Sequence, residues 1–243
     1  MKIALFGYGK MGKTIEHLAL AAGDEIVLKI DSKNESVISV DDLKKAEVII
    51  EFSRPDRAVS NIEKSLKSGV PVVSGTTGWY ENLPHITALC HQTGGAFFHA
   101  SNFSIGVNIF FEINKKLAEI MAKHPSYAVS MHETHHVHKL DAPSGTALTL
   151  ATAIIKSSPL ISDWKAYPDT AEKLQNNGVL PIYYSRKDEV PGTHQVTYTS
   201  TQDSIELTHT AFTREGFASG ALTAAKWLVG KKGVFTMHDL LNL

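Results

Sequence analysis

Ile3-Ala4-Leu5-Phe6-Gly7-Tyr8-Gly9-Lys10-Met11-Gly12 opens the chain with an apolar run that stops at glycine. Lys2 to Phe6 reads as a short buried strand, and Ile15, Leu18, Ala19 and Ala22 recur at helical spacing until Gly23. Between them, Gly7 to Gly12 fits G-x-G-x-x-G in the strand-turn-helix setting where that pattern cradles a dinucleotide. The first glycine permits the tight turn, the second lets a pyrophosphate approach the backbone, and the third lets helix and strand pack closely. The anion then meets the N–H groups of Lys10 and Met11 at the helix start. A second apolar run, Glu25 to Ile30, ends at Asp31, 19 residues beyond Gly12, where an acid is expected to bind a ribose hydroxyl. That acid favours NADH, whereas Ser32 and Lys33 could receive the extra phosphate of NADPH.

Val48 to Phe52, Val70 to Ser74 and Ala96 to Ala100 are further short runs, too continuous for strands with one wet face. Val59, Ile62 and Leu66 mark one intervening helical stripe, and Ile86, Leu89 and Cys90 another. Alternation of this kind predicts an α/β, Rossmann-type doubly wound parallel sheet with right-handed crossovers. Phe110, Phe111, Asn114, Leu117, Ala118 and Met121 then predict one long helix.

After Pro125 the pattern changes. Tyr127 to Thr134, Gln195 to Ser200 and Ser204 to Ala211 read as strands of an inserted α+β unit with an antiparallel or mixed sheet. From Phe217 a helix carrying Ala221, Leu222, Ala225, Leu228 and Val229 is expected to pack back on the first sheet. The expected boundaries are residues 1–104 with 214–243 for the dinucleotide-binding domain and 105–213 for the substrate-binding and oligomerisation domain. The stretch from Asp163 to Pro191 is the least regular.

Composition narrows the function. Of 243 residues, 43% are hydrophobic and 20% charged, ordinary for a folded globular chain and incompatible with disorder or a fibre. A net charge of -1 leaves no basic excess for a phosphate backbone, so nucleic acid is not an expected partner. One cysteine, Cys90, forms no internal disulfide and fits a reducing compartment. With neither a signal-like segment nor an apolar run of membrane length, the expected location is the cytoplasm, away from membranes.

The histidines are less ordinary, because four of the 12 lie between His132 and His138. His132-Glu133-Thr134-His135-His136 matches the zinc-protease pattern H-E-x-x-H, which works on a helix, where a four-residue step is about 6 Å. On a strand that step is about 13 Å, too far for one ion. Val129, Thr134 and Val137 lack a helical stripe, and Pro143 pushes Ala142 extended, so strand-then-loop is the better reading and no metal is expected. Surface histidines on a polar strand end would be the plain alternative, but it leaves the next residues unexplained. Pro143-Ser144-Gly145-Thr146 opens a helix with a stripe at Leu148, Ala151, Thr152 and Ile155, with Ser144 as its N-cap. Free N–H groups there make an anion site beside the histidines and Lys139, although capping alone would explain Ser144 to Thr146 equally well.

Glu133-Thr134-His135-His136-Val137-His138-Lys139-Leu140-Asp141-Ala142-Pro143-Ser144-Gly145-Thr146-Ala147 closely resembles the signature E-x-H-H-x-x-K-x-D-A-P-S-G-T-A of the 4-hydroxy-tetrahydrodipicolinate (dihydrodipicolinate) reductase family of lysine and diaminopimelate biosynthesis. The likeness continues through Glu51 to Pro55, Gly75-Thr76-Thr77-Gly78, Ala100 to Asn108 and Arg214 to Ala218. It implies NADH- or NADPH-dependent reduction of a cyclic imine dicarboxylate by a homotetramer. It also implies that His135 is the proton donor or acceptor, that Lys139 is the second acid, and that His136, Ser144, Gly145 and Thr146 contact the substrate carboxylates. Gly75, Thr76 and Thr77, with Ala100, Ser101, Asn102 and Phe103, match the cofactor-side loops, and Arg54 matches a residue near the adenine. Against the family pattern, the glycine loop and the segment after the second strand are short, and Ser32 replaces an arginine. A general acid of this kind is expected to give a pH-rate limb near neutrality and the domains to close over the ligands. Other readings are a semialdehyde or sugar dehydrogenase with the same first domain, a non-catalytic nicotinamide sensor, and the zinc peptidase.

Overall fold

Strand β1 (Lys2–Phe6) shows how the first layer is built, because alternate residues feed two cores. Ile3 and Leu5 join one apolar cluster and Ala4 and Phe6 the other, all of them 1% exposed or less. Removing each large side chain from water contributes roughly 1.5–3 kcal/mol, so both faces of the strand hold it in place. This is a computed structural model, and it describes residues 1–171, 178–213 and 215–243.

The chain divides into two compact units, residues 1–105 with 215–243 and residues 106–214. In the first, β1 is followed by α1 (Lys10–Ala21), β2 (Glu25–Ile30), the short α2 (Val40–Leu43), β3 (Val48–Glu51), α3 (Pro55–Ser68), β4 (Val72–Ser74), α4 (Leu83–Thr93) and β5 (Ala96–His99). Six parallel strands form one sheet, the sixth coming from near the end of the chain, with neighbours β2, β1, β3, β4 and β5 in that order. The winding reverses at β1, which pairs with both β2 and β3, so a crevice opens beyond its carboxyl end. The Rossmann-type sheet is therefore as expected, with strand ends differing by one or two residues.

The second unit contains α5 (Ile105–Met121), β6 (Ala128–His135), α6 (Gly145–Ser157), β7 (Asp163–Pro168), β8 (Val179–Arg186), β9 (Gly192–Thr199) and β10 (Ser204–Ala211). Its sheet runs β10-β9-β6-β8-β7, with β6 antiparallel to β9 and parallel to β8, so the sheet is mixed. Val129, Met131, Leu180, Ile182 and Val196 form a core with Phe110 of α5 and Leu150 and Ile154 of α6. Ser130, His132, Thr134, Gln195 and Thr197 occupy the opposite, half-buried face.

Two expectations are corrected here. The stretch from Asp163 to Pro191 holds β7 and β8; their Pro168 and Pro181 sit where the ladder tolerates them, and Trp164, Leu180 and Ile182 supply the strand character that the turn residues masked. Residues 172–177 of that stretch, and Arg214 of the late motif, lie outside the described residues. On α6 the buried face is Ala147, Leu150, Ala151 and Ile154, with Thr152 exposed, because the core beneath selects a stripe displaced from the expected one.

The chain returns to the first unit as α7 (Glu215–Leu228), then β11 (Gly233–Phe235) beside β5, and α8 (Met237–Leu241). Ala218, Ala221, Ala225 and Leu228 of α7 share a core with β1 and β3. Gly220 is required there, since a Cβ would stand 1.8 Å from the carbonyl oxygen of Phe103. Neither β11 nor α8 is signalled by periodicity, being three and five residues long.

Candidate functional site

In the first unit the glycine turn closes directly on β1. Gly7 donates its N–H to the Ile30 carbonyl at 2.8 Å and adopts φ +90°, and a Cβ there would lie 2.0 Å from the Phe52 carbonyl oxygen. A Cβ on Gly12 would lie 2.2 Å from the Gly7 oxygen, so helix and turn touch through bare backbone. Gly9 differs: no described protein atom lies within 4 Å of the position its Cβ would take. The protein's own packing requires glycine at positions 7 and 12, while position 9 is left open, and Gly9 is the N-cap at which Lys10 and Met11 begin α1.

A cavity of about 440 Å³ adjoins this turn, lined by Gly7, Gly9, Asp31, Ser32, Arg54 and Asn61 among others. Asp31 is positioned by its own turn, its Oδ1 accepting the Lys33 N–H at 2.8 Å while its N–H donates to Asn34 Oδ1 at 2.9 Å. Arg54 and Arg57 line the same cavity, with Asp56 at 2.9 and 3.7 Å from them. Open backbone at a helix start, an acid at the end of β2 and a cavity joining them are the parts a dinucleotide needs, and the residues present fit one.

The two further loops lie at the ends of β4 and β5. Thr76 is buried, its hydroxyl accepting the Ser53 N–H at 2.9 Å and donating to Glu51 Oε1 at 3.0 Å. Ser74 donates to the other oxygen of that carboxylate at 2.7 Å, and Ser53 Oγ also hydrogen-bonds it, so fully buried Glu51 ties the loops after β3 and β4 together. A side chain on Gly75 would run into the Phe52 ring, and Thr77 is exposed. Ala100 and Asn102 are half-buried and Ser101 is exposed, whereas the Phe103 ring is 2% exposed and packs on Phe52 and Phe98 in the core. Its carbonyl oxygen packs against Gly220, so Phe103 serves the core of this unit.

In the second unit the histidine motif lies on β6, as read from its pattern. Strand alternation sends Glu133 and His135 to the buried face and His132 to the other, where it meets Asp169 at 2.9 Å. Glu133 is fully buried; its Oε2 accepts the Ser144 N–H at 2.9 Å and its Oε1 accepts from Arg186 Nη2 at 3.3 Å. His135 Nδ1 lies 3.8 Å from Oε1, and His194 Nε2 lies 3.8 Å from Oε2. Strand register makes this cluster, since Glu133 pairs with His194 on β9 and His135 with Arg186 on β8.

Ser144 caps α6, its Oγ accepting the Ala147 N–H at 3.1 Å and lying 3.0 Å from His194 Nε2. Its hydroxyl is thus engaged within the protein, which leaves the N–H groups of Gly145 and Thr146 at the end of the helix. Lys139 holds Asp141 through both carboxylate oxygens at 2.8 Å, and this lysine keeps the Asp141 carboxyl below the usual range. Arg186 fastens the same loop by donating to the carbonyls of Lys139 at 3.2 Å and Asp141 at 2.6 Å. His136, half-buried, comes next at the end of the strand, close to His138.

Burial pushes His135 down to about 4, although the Glu133 charge opposes that shift. His194 is pushed down to about 3, again chiefly by burial. A solvated imidazole titrates near neutrality, whereas this ring is only 7% exposed and is held lower. Ligand-type atoms of Glu133, His135 and His194 lie within 4.8 Å of one another, close enough for an ion. Both carboxylate oxygens are already engaged, however, and the Arg186 guanidinium repels a divalent cation at short range.

Arg186 and His194 are absent from the sequence-based site. Neither lies in a motif, and only strand pairing brings them to β6. A charged residue in an irregular tract and a histidine in an alternating strand carried no signal that would have singled them out.

A parallel sheet with an open glycine turn at its switch point, in one chain with a unit carrying an acid-base cluster and a capped helix end, defines a two-unit, nucleotide-dependent oxidoreductase. Sequence profiles described as dihydrodipicolinate reductase N-terminus and C-terminus match residues 1–103 and 106–241. A 4-hydroxy-tetrahydrodipicolinate reductase of Christiangramia forsetii is 46% identical over all of this chain and 98% of its own. Those of Archaeoglobus fulgidus and Ralstonia nicotianae are 34% and 33% identical, with full coverage of both chains. The dipicolinate-bound dihydrodipicolinate reductase of Paenisporosarcina sp. TG-14 shares the fold, with TM-score 0.77, 24% identity and 98% of each chain covered. The chain belongs to the dihydrodipicolinate reductase family.

Proposed function

We propose that the protein reduces 4-hydroxy-tetrahydrodipicolinate, through its dehydrated cyclic imine, to tetrahydrodipicolinate in diaminopimelate and lysine biosynthesis. The observation that carries this reading is the His135, Lys139 and α6 N-terminal constellation, within a chain that matches named 4-hydroxy-tetrahydrodipicolinate reductases end to end. When bound, NADH or NADPH supplies the hydride. Gly7, Gly9, Lys10, Met11 and Gly12 cradle its pyrophosphate, Asp31 takes the adenosine ribose, and Gly75 to Thr77 with Ala100 to Phe103 border the nicotinamide side. Asp31 and Glu35 suit a free ribose hydroxyl, and Arg54 and Arg57 on the same cavity suit a 2′-phosphate, so the lining accommodates NADH or NADPH.

The N–H groups of Gly145 and Thr146, with His136, bind the substrate carboxylates, and Ser144 holds the helix end in place. His135 and Lys139 deliver the proton that balances the hydride. A dicarboxylate beside His135 raises the pKa of the buried ring toward the working pH, so the acid is armed by the substrate itself. The protein acts as a homotetramer in the cytoplasm. Among the described residues, no helix is long and apolar enough to cross a membrane.

The test is the loss of nicotinamide absorbance when the protein meets freshly generated 4-hydroxy-tetrahydrodipicolinate, with NADH and NADPH run separately. Substrate-dependent oxidation is expected, and the ratio of the two rates gives the nucleotide preference. Tight nucleotide binding without turnover would reject the reading in favour of a sensor.

A further inference from the structure

We propose that Glu133 is a positioning residue for His135: its buried carboxylate stands behind Nδ1, fixes the proton there, and leaves Nε2 as the nitrogen that exchanges a proton with substrate. This assignment rests on the reading of His135 as the proton-exchanging group. Neither motif nor capping requires it; the positions of the two ring nitrogens do.

Nδ1 of His135 is sealed from solvent without a hydrogen-bond partner among the described residues, and the nearest acid oxygen is Glu133 Oε1 at 3.8 Å. A buried ring nitrogen left bare beside a carboxylate would place a lone pair against a negative charge, whereas an Nδ1–H turns the same approach into attraction. The remaining gap is of the kind that closes when a site fills and the ring becomes cationic. The Nε2 edge is the one beside Gly192, where a Cβ would stand 3.1 Å from the nitrogen. Glycine at 192 therefore keeps that edge clear.

The groups facing the ring divide by sign. Glu133 on its own strand and Asp141 on the loop after it favour the imidazolium; Lys139 on that loop and Arg186 on β8 oppose it. His194 on β9 packs edge-on at 5.0 Å between centroids, with His209 of β10 among the groups acting on it in turn. His194 is held neutral by burial, so it excludes water without supplying charge, and Glu133 is the nearest anion to Nδ1. Arg186 does not exhaust that carboxylate. Its contact with Oε1 is long, at 3.3 Å, and its Nε, Nη1 and Nη2 also donate to the carbonyls of Lys139, Ser185 and Asp141.

The first test needs neither a variant nor turnover. Long-range nitrogen-proton NMR of the imidazoles in the intact protein is expected to show neutral His135 protonated on Nδ1, and an Nε2–H tautomer would overturn the assignment. The second is the pH profile of kcat for Glu133→Gln and Glu133→Asp. Loss of the charge is expected to move the alkaline limb to lower pH by about one unit and lower kcat by about 10- to 100-fold with nucleotide KM unchanged. Asp, which keeps the charge, restores the limb toward its original position. A Gln variant with a lower melting temperature but an unmoved limb would make Glu133 merely structural and overturn the proposal. If the Gln amide, facing both the Ser144 N–H and Arg186, prevents folding, the tautomer measurement decides alone. An Nδ1–H ring in a protein without turnover would reject the function and support the tautomer, which keeps the two failures apart.

Discussion

Among the described residues Lys139 makes two contacts to Asp141 and none to a buried acid, so its side chain can leave that partner for a substrate at the modest cost of a partly exposed ion pair. Replacing Lys139 with Ala is therefore expected to lower kcat by about 100-fold or more while the dissociation constant for NADH stays unchanged, checked by steady-state kinetics and fluorescence titration. Full turnover in that variant would remove Lys139 from the proton-delivery role. Arg186 acts one step away, holding the Lys139 and Asp141 carbonyls and Glu133 with one planar fork. Lysine cannot make those contacts together, so Arg186→Lys should raise the substrate KM several-fold and loosen the loop, read as faster amide exchange at 139–141. His135, Lys139 and Ser144 were legible because they fall in one continuous signature. Arg186 and His194 were not, because they enter the site through strand register, Arg186 opposite His135 and His194 opposite Glu133, a relation that adjacency in sequence does not encode. Because the carboxylate between them is already bonded to Ser144 and Arg186, dialysis against a chelator should leave turnover unchanged, and lost activity restored by zinc would place an ion there.

At the scale of the element, the glycine turn separates a folding requirement from a binding one within six residues. Gly12→Ala puts a methyl 2.2 Å from the Gly7 carbonyl oxygen and must push α1 off the sheet, whereas Gly9→Ala meets no described protein atom within 4 Å. The expected outcome is a melting temperature lowered by several degrees for Gly12→Ala, and a near-normal one with at least tenfold weaker NADH binding for Gly9→Ala. Equal loss of stability in both would mean that position 9 serves the fold. The same element shows what made the first sheet readable. Its strands are buried on both sides, so each is a short unbroken apolar run, and the turns between them carry their own chemistry. On α6 that logic failed by a rotation: Leu148, Thr152 and Ile155 are as compatible with a helical stripe as Leu150, Ala151 and Ile154, and only the sheet beneath chooses. β7 and β8 were hidden for a related reason, since the prolines and polar residues carried by an edge strand and its inner neighbour resemble those of a loop.

For the whole molecule, the buried histidines link acid-base chemistry to stability. His135 and His194, held at about 4 and about 3, remain neutral in the folded chain at pH values where the unfolded chain, near 6.5, already binds protons. A lowered native pKa means that the unfolded state binds more protons below 6.5, so stability is fully present above that value and falls as pH drops toward 4. Each such group contributes a slope of at most about 1.4 kcal/mol per pH unit across the window. Half-buried His99 and His209 are shifted the same way by desolvation and add to the trend. Thermal melts from pH 8 to 4 should therefore show a plateau above about 6.5 and a steady decline below it, and His194→Gln, which takes one titrating ring out of the core, should flatten that decline. Ligands reverse the sign locally. A dicarboxylate that raises the His135 pKa makes the folded complex bind a proton the free protein does not, so its affinity should increase as pH falls from about 8 to about 6, measurable by calorimetry as proton uptake in buffers of different ionisation enthalpy. Binding without proton uptake would show that His135 stays neutral in the complex and that the proton must come from Lys139 alone.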